Sequence, residues 1–260
     1  MEIIILSSPA EVGRVAASKI AQIITRKPDA VVGLATGSSP LAIYAELAAR
    51  VQSGGLDASA VRGFALDEYV GIPKGHPESY ETVIHRDVVE PLRMNPNLIH
   101  VPNGRAADIE AACLAYDAAI RETGGVDIQI LGIGANGHIG FNEPTSSFAS
   151  RTRIKTLAPQ TRADNARFFD NADEVPTHCL TQGLGTIMDA RALVLVAQGE
   201  NKADAIAAAV EGPVSSMCPG SILQFHPHAT VIVDEAAASK LTLAEYYKYT
   251  YANKPEWQRF

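Results

Sequence analysis

The chain is short of cysteine. Cys113, Cys179 and Cys218 are spread over 260 residues and form no CxxC pair. That excludes a disulfide framework and makes a reducing cytoplasm the expected compartment. Long apolar runs are missing as well, since no stretch approaches the roughly 20 residues needed to span a bilayer. The opening MEIIILSSP has no basic n-region, so no secretion signal is expected in it. Positive charge is not in excess either. A net charge of −7 argues against general affinity for nucleic acid or an acidic membrane, and an anionic substrate would need a local cationic pocket. His76, His85, His100, His138, His178, His226 and His228 show no HExxH or Cys/His ligand spacing, so neither a metal nor any other cofactor is expected. There is no GxSxG elbow and no internal repeat.

What is present is a chain long enough for one large domain, residues 1–260, with 47% hydrophobic content to fill its core. Short apolar segments read as buried strands at Glu2–Leu6, Ala30–Leu34, Arg62–Leu66, Leu98–Val101, Val126–Leu131, Ala192–Ala197 and Ala229–Val233. Helical patterns lie between them. The first opens with Ser8, Pro9 and Glu11, a capping signature, and runs to about Thr25. Others are expected from Pro40 to about Val51, over Glu78–Val89, Ala106–Glu122, Thr161–Phe169 and Glu200–Val210, and from near Glu235. The alternation predicts an α/β fold: a doubly wound, mostly parallel sheet with helices on both faces, Rossmann-like in outline. Loops after strands would then gather along one edge, where such sheets bind ligands.

Three of those loops carry chemistry. Residues 132–143 set Asn136, His138, Asn142 and Glu143 among four glycines directly after a buried strand. A surface turn with a structural histidine would also fit, but His138 and Glu143 on one constrained loop favour a site. Thr36-Gly37-Ser38-Ser39 joins a strand to a helix N-terminus, where free N–H groups and three hydroxyls suit a phosphate; an ordinary capped turn would read the same. It is neither a Walker A loop nor GxGxxG. Asp67 and Glu68 follow a strand and offer a general base, or else a cap or a solvated turn. Residues 70–80 are too rich in Gly and Pro for regular structure and are expected to be a loop beside the site. Arg151, Arg153 and Lys155 alternate along an extended stretch, either as an edge strand guarded by charge or as a second anion site. Lys202 stands in the first turn of a helix, the wrong end for a cation, and so is expected to have a compensating anion. Together these groups suit acid–base chemistry on a phosphorylated small molecule, such as sugar-phosphate isomerisation or hydrolysis of a sugar ester.

The segments LATGSSP, FALDEYVGIPKGHPESY, LGIGANGHIGFNEP, SRTRIKTL, NARFFDN and AAVEG closely resemble the glucosamine-6-phosphate deaminase family, in order from about residue 30 to 235. The resemblance implies the sugar-phosphate isomerase/6-phosphogluconolactonase type of fold. It also implies conversion of α-D-glucosamine 6-phosphate and water into fructose 6-phosphate and ammonia, in amino-sugar catabolism. It assigns ring opening to His138, with Glu143 coupled to it, and enolisation to Asp67. Asn136 stands where some members have Asp, so at that position a relay can only be hydrogen-bonding. Phosphate binding falls to Thr36, Gly37, Ser38, Ser39, Arg167 and Lys202. In allosteric members N-acetylglucosamine 6-phosphate binds between subunits of a homohexamer, and the matching residues are Ser146, Arg153, Lys155 and Thr156. The runner-up is a sugar-lactone hydrolase of the same superfamily. A non-catalytic sugar-phosphate sensor is the reading from a different class; the joint presence of Asp67, His138 and Glu143 favours catalysis.

Overall fold

A computed structural model describes residues 1–260. Ten strands form two sheets: β1 Glu2–Leu6, β2 Val31–Leu34, β3 Arg62–Ala65, β4 Asp67–Tyr69, β5 Ile99–His100, β6 Ile128–Leu131, β7 Arg153–Thr156, β8 His178–Thr181, β9 Leu193–Ala197 and β10 Ala229–Asp234. The α-helices are α1 Pro9–Arg26, α2 Leu41–Gln52, α3 Tyr80–Ile84, α4 Ile109–Glu122, α5 Pro159–Asn165, α6 Leu184–Met188, α7 Ala203–Val210 and α8 Ala244–Ala252. None is long and apolar enough to cross a membrane.

Seven strands make an all-parallel sheet in the order β1-β10-β9-β6-β2-β3-β5. The strands read as apolar runs because both faces are covered; β2, β6, β9 and β10 are buried along their whole length. From β2 the chain moves outward to β3 and β5. It then returns to lay β6 on the other side of β2 and continues to β9 and β10. The order therefore reverses between β2 and β6, and a crevice opens beyond the carboxyl ends of those two strands. One apolar cluster of 60 buried residues fills the layers on the sheet. At 20–33 cal/mol per Å², burial on that scale is the main favourable contribution to folding.

Local signals account for most of the elements. Ser8 accepts from the Glu11 N–H at 3.3 Å, as its capping signature predicts. The Glu11 carboxylate reaches back to Ser7 rather than Ser8, accepting from the Ser7 N–H at 3.1 Å. The helix expected from Glu78 starts at Tyr80, with Ser79 as its cap, and relaxes into a π-turn over His85–Val89. The helix expected from Glu235 begins at Ala244 instead. Asp234 accepts from the N–H groups of Gly199 and Ala237, which holds residues 235–240 in turns.

As a sheet the second one was not legible, although the edge-strand reading of the Arg151–Lys155 stretch holds for β7. The sheet is antiparallel, in the order β4-β8-β7, and pairs Asp67 with Thr181, more than a hundred residues apart, and Thr181 with Arg153. β3 leaves the large sheet at Leu66, and the chain enters the small one as β4. Asp67 thus stands where one backbone passes between two sheets. Six buried residues, among them Tyr69, Phe141 and Cys179, form a satellite core under the small sheet.

Candidate active site

One cavity of about 260 Å³ opens over the switch between β2 and β6. Its wall includes Thr36–Ser39, Asp67, His138, Arg167 and Lys202, so the three strand-end loops meet at one place. Gly37 turns the chain away from β2 at φ +90°, a conformation that a side chain would strain. α2 begins without a side-chain cap and without an acid in its first turn, which leaves its N–H groups to an anion. Lys202 is half-buried, and burial lowers its pKa. No carboxylate lies within ion-pair distance of Lys202 or of Arg167, so the compensating anion expected for Lys202 is not supplied by a protein ion pair. Arg167 instead lies over the ring of Phe168, 4.8 Å from its centre.

The two adjacent carboxylates separate completely. Glu68 is 1% exposed and accepts from three backbone N–H groups, those of Tyr69 at 2.8 Å, Tyr80 at 3.0 Å and Glu81 at 3.0 Å. It closes the start of α3 and faces away from any chemistry. Asp67 is 6% exposed, lines the cavity and accepts no hydrogen bond. Burial, then the neighbouring Glu68 charge, pushes its carboxyl up to about 8. The Asp67–Glu68 pair is a buried strand of the small sheet, not the solvated turn that its composition allowed.

His138 is held by its own loop. The Gly134 N–H donates to the His138 carbonyl at 2.9 Å, and the imidazole lies so close over Gly134 that a Cβ there would come within 2.2 Å of the ring. Asn136 works on both sides: its Oδ1 accepts from the His138 N–H at 3.2 Å, and its Nδ2 donates to Glu143 Oε2 at 2.7 Å. It orients the histidine through the backbone rather than through the ring. His138 Nδ1 lies 3.7 Å from Glu143 Oε2, beyond hydrogen-bond length, and is buried without a partner. Burial by itself would raise the Glu143 carboxyl; His138, Thr161 and Asn136 outweigh it and hold the group down at about 2.

Two supports escaped the sequence reading. Thr161 donates to Glu143 Oε1 at 2.6 Å. Thr181 accepts from the Phe141 N–H at 3.0 Å and so fastens the glycine-rich loop to the small sheet. Single hydroxyls outside any motif carry no sequence signal. The residues nominated for a second ligand do not line the cavity. Ser146 is buried and its hydroxyl donates to the Glu143 carbonyl at 2.7 Å. Arg153 donates to Asn142 Oδ1 at 2.9 Å. Lys155 and Thr156 follow it along β7, an edge of the small sheet.

Residues 8–233 match the family profile described as glucosamine-6-phosphate isomerases/6-phosphogluconolactonase. A Pseudarthrobacter chlorophenolicus protein named glucosamine-6-phosphate deaminase is 61% identical over 258 residues, covering 99% of both chains. A Streptomyces coelicolor protein of the same name is 59% identical over 259 residues, again with 99% of each chain covered. Among solved structures, one described as a monomeric glucosamine-6-phosphate deaminase superposes with a TM-score of 0.90 at 40% identity, over 92% of this chain and 100% of that one. A Trypanosoma cruzi 6-phosphogluconolactonase superposes at 0.74 with 20% identity, over 93% of this chain and 97% of that one, a likeness of fold.

Proposed function

The chain belongs to the glucosamine-6-phosphate isomerase/6-phosphogluconolactonase family, and on that premise we propose that it is a glucosamine-6-phosphate deaminase, converting α-D-glucosamine 6-phosphate and water into fructose 6-phosphate and ammonia. The observation that carries the assignment of roles is the single cavity. An unpaired buried carboxylate, an imidazole and two unpaired cations all face it. In this reading the α2 turn at Thr36–Ser39, Arg167 and Lys202 hold the phosphate.

His138 takes the proton of the anomeric hydroxyl and returns it to the ring oxygen, which opens the sugar. Glu143 stabilises the imidazolium that forms, and Asn136 keeps the two in register. Asp67 removes the proton from C2 and delivers it to C1. The enolamine becomes a 2-imine, water adds at C2, and ammonia departs. Each general acid–base step contributes roughly 10²–10⁴-fold. A carboxyl near 8 is a stronger base than one in water, and it must be ionised to act. The ammonium group of the bound substrate, two bonds from the proton removed, favours that ionised form.

The test is turnover of glucosamine 6-phosphate without added cofactor, following ammonia and fructose 6-phosphate together. Stoichiometric release of both supports the reading. Hydrolysis of 6-phosphogluconolactone with no ammonia from the amino sugar would replace it with the lactonase.

The same proposal extends to regulation. Ser146, Arg153, Lys155 and Thr156 would take N-acetylglucosamine 6-phosphate as activator at a subunit boundary of a hexamer. The alternating cations of β7 support this, whereas the engaged Ser146 hydroxyl and the relative described as monomeric weigh against it. Sigmoidal kinetics abolished by the activator in a hexameric sample would support it. A hyperbolic monomer indifferent to that ligand would overturn it. The free thiols of Cys113, Cys179 and Cys218 support a reducing cytoplasm.

A further inference from the structure

Glu143 must present one oxygen to His138. Within the loop only Asn136 holds the carboxylate, through Oε2; the other oxygen is fixed from α5. Oε1 accepts from the Thr161 hydroxyl at 2.6 Å and from the Ala158 N–H at 3.2 Å. That leaves Oε2 for Asn136, at 2.7 Å, and for the His138 ring, at 3.7 Å. Thr161 is 3% exposed, in a wall of the cavity that carries the polar groups of the site. A buried hydroxyl committed to a carboxylate leaves that oxygen unmatched when it is removed.

α5 also reaches towards the phosphate cations. It runs directly into the short 3-10 turn Ala166–Phe168, which contains Arg167. It is further tied by Arg162 to the Val175 carbonyl, at 2.7 Å, and by Asn165 to the Tyr69 hydroxyl, at 3.1 Å. One short helix therefore fixes both the Glu143 carboxylate and the base of Arg167.

We propose that Thr161 is a positioning residue for ring opening, setting the Glu143 carboxylate against His138 from the helix that carries the phosphate-binding arginine. The inference rests on the deaminase reading. Thr161 does not touch the reacting atoms; it acts through Glu143. The depressed pKa of Glu143 agrees, since Thr161 is among the groups that keep it charged.

The experiment compares Thr161→Val, which keeps the shape and loses the hydroxyl, with Thr161→Ser, which keeps the hydroxyl. Wild type is assayed beside both. The expected result for Thr161→Val is a kcat lower by roughly 10- to 100-fold, as for a catalytic group displaced by a fraction of an ångström, with KM within about twofold. Thr161→Ser should restore kcat to within about threefold. Unchanged kcat in Thr161→Val overturns the proposal. So does a rise in KM that matches the loss in kcat, which would mean that Arg167 had moved with the helix. If Thr161→Val does not fold, Thr161→Ala is held to the same criteria, and failure of both to fold makes the residue structural and the proposal wrong. Wild type that releases no ammonia from glucosamine 6-phosphate would instead overturn the deaminase reading.

Discussion

Asp127 and Asp67 are both buried aspartates at the large sheet, one before β6 begins and one just after β3 ends. Asp127 is saturated. It accepts from Lys27 at 2.8 Å, from Arg191 at 3.2 Å and from the Val31 N–H at 2.8 Å, and so pins β2, β6 and β9 together at their amino ends. Asp67 has no partner, and its carboxyl is pushed up to about 8. The amino ends of these strands spend their charge on cohesion. The carboxyl ends leave theirs unsatisfied, a state that costs stability and that the rest of the fold must offset.

The sharpest way to break that contrast is Asp67→Asn. It should lower kcat by roughly 10³-fold, within the range for losing a general base, and abolish proton exchange at C2. The same variant should be more stable than wild type. The folded state holds a proton on Asp67 that the unfolded chain, near 3.8, releases, so wild type loses stability as pH rises from about 4 to about 8. The gain from Asn should therefore grow with pH and reach roughly 1–3 kcal/mol near pH 8, read from denaturant melts. A variant that is both inactive and less stable at pH 8 would show that the carboxyl is structural after all.

His138→Gln should cost roughly 10²-fold in turnover of the ring-closed sugar yet spare an open-chain substrate. Equal loss on both substrates would remove the division of labour between positions 67 and 138. At the other end of the sheet, Asp127→Ala should lower stability by roughly 2 kcal/mol, because the Val31 N–H loses its acceptor and two half-exposed cations lose theirs. Its kcat should stay within twofold of wild type, and a large loss would mean that the two ends are not independent. The smallest effect is in the pH profile of wild-type kcat/KM. Corrected for titration of the substrate's own amine and phosphate, it should climb about tenfold from pH 6 to 7 as Asp67 ionises. A limb confined below pH 5 would place Asp67 in the ordinary carboxylate range.

The large sheet was legible because its central strands β2, β6, β9 and β10 are compact runs of mostly apolar residues. β7 was legible only as a charged edge strand, and its partners were not legible at all. β8 gains its place by pairing with β4 and β7, and HCLT carries no period of its own. The glycine loop is a different case. Gly132, Gly134 and Gly137 have the GxGxxG spacing of a dinucleotide turn, but no helix follows them. The chain runs on without regular structure to β7, and Gly134 is bare to make room for an imidazole. Asp67, His138 and Lys202 were found from position and motif. Thr161 was invisible because its importance lies in a contact with Glu143, eighteen residues away.

By itself the sequence determined the α/β alternation, the strand-end placement of the reactive side chains and the family, since each is written in local patterns a few residues long. Only the tertiary structure decided between two neighbouring carboxylates. Glu68 meets three backbone N–H groups and is satisfied, whereas Asp67 meets none and faces the cavity unpaired. Two residues of the same chemistry, one bond apart in the chain, are separated by burial and partners, which are properties of a surface folded from distant segments.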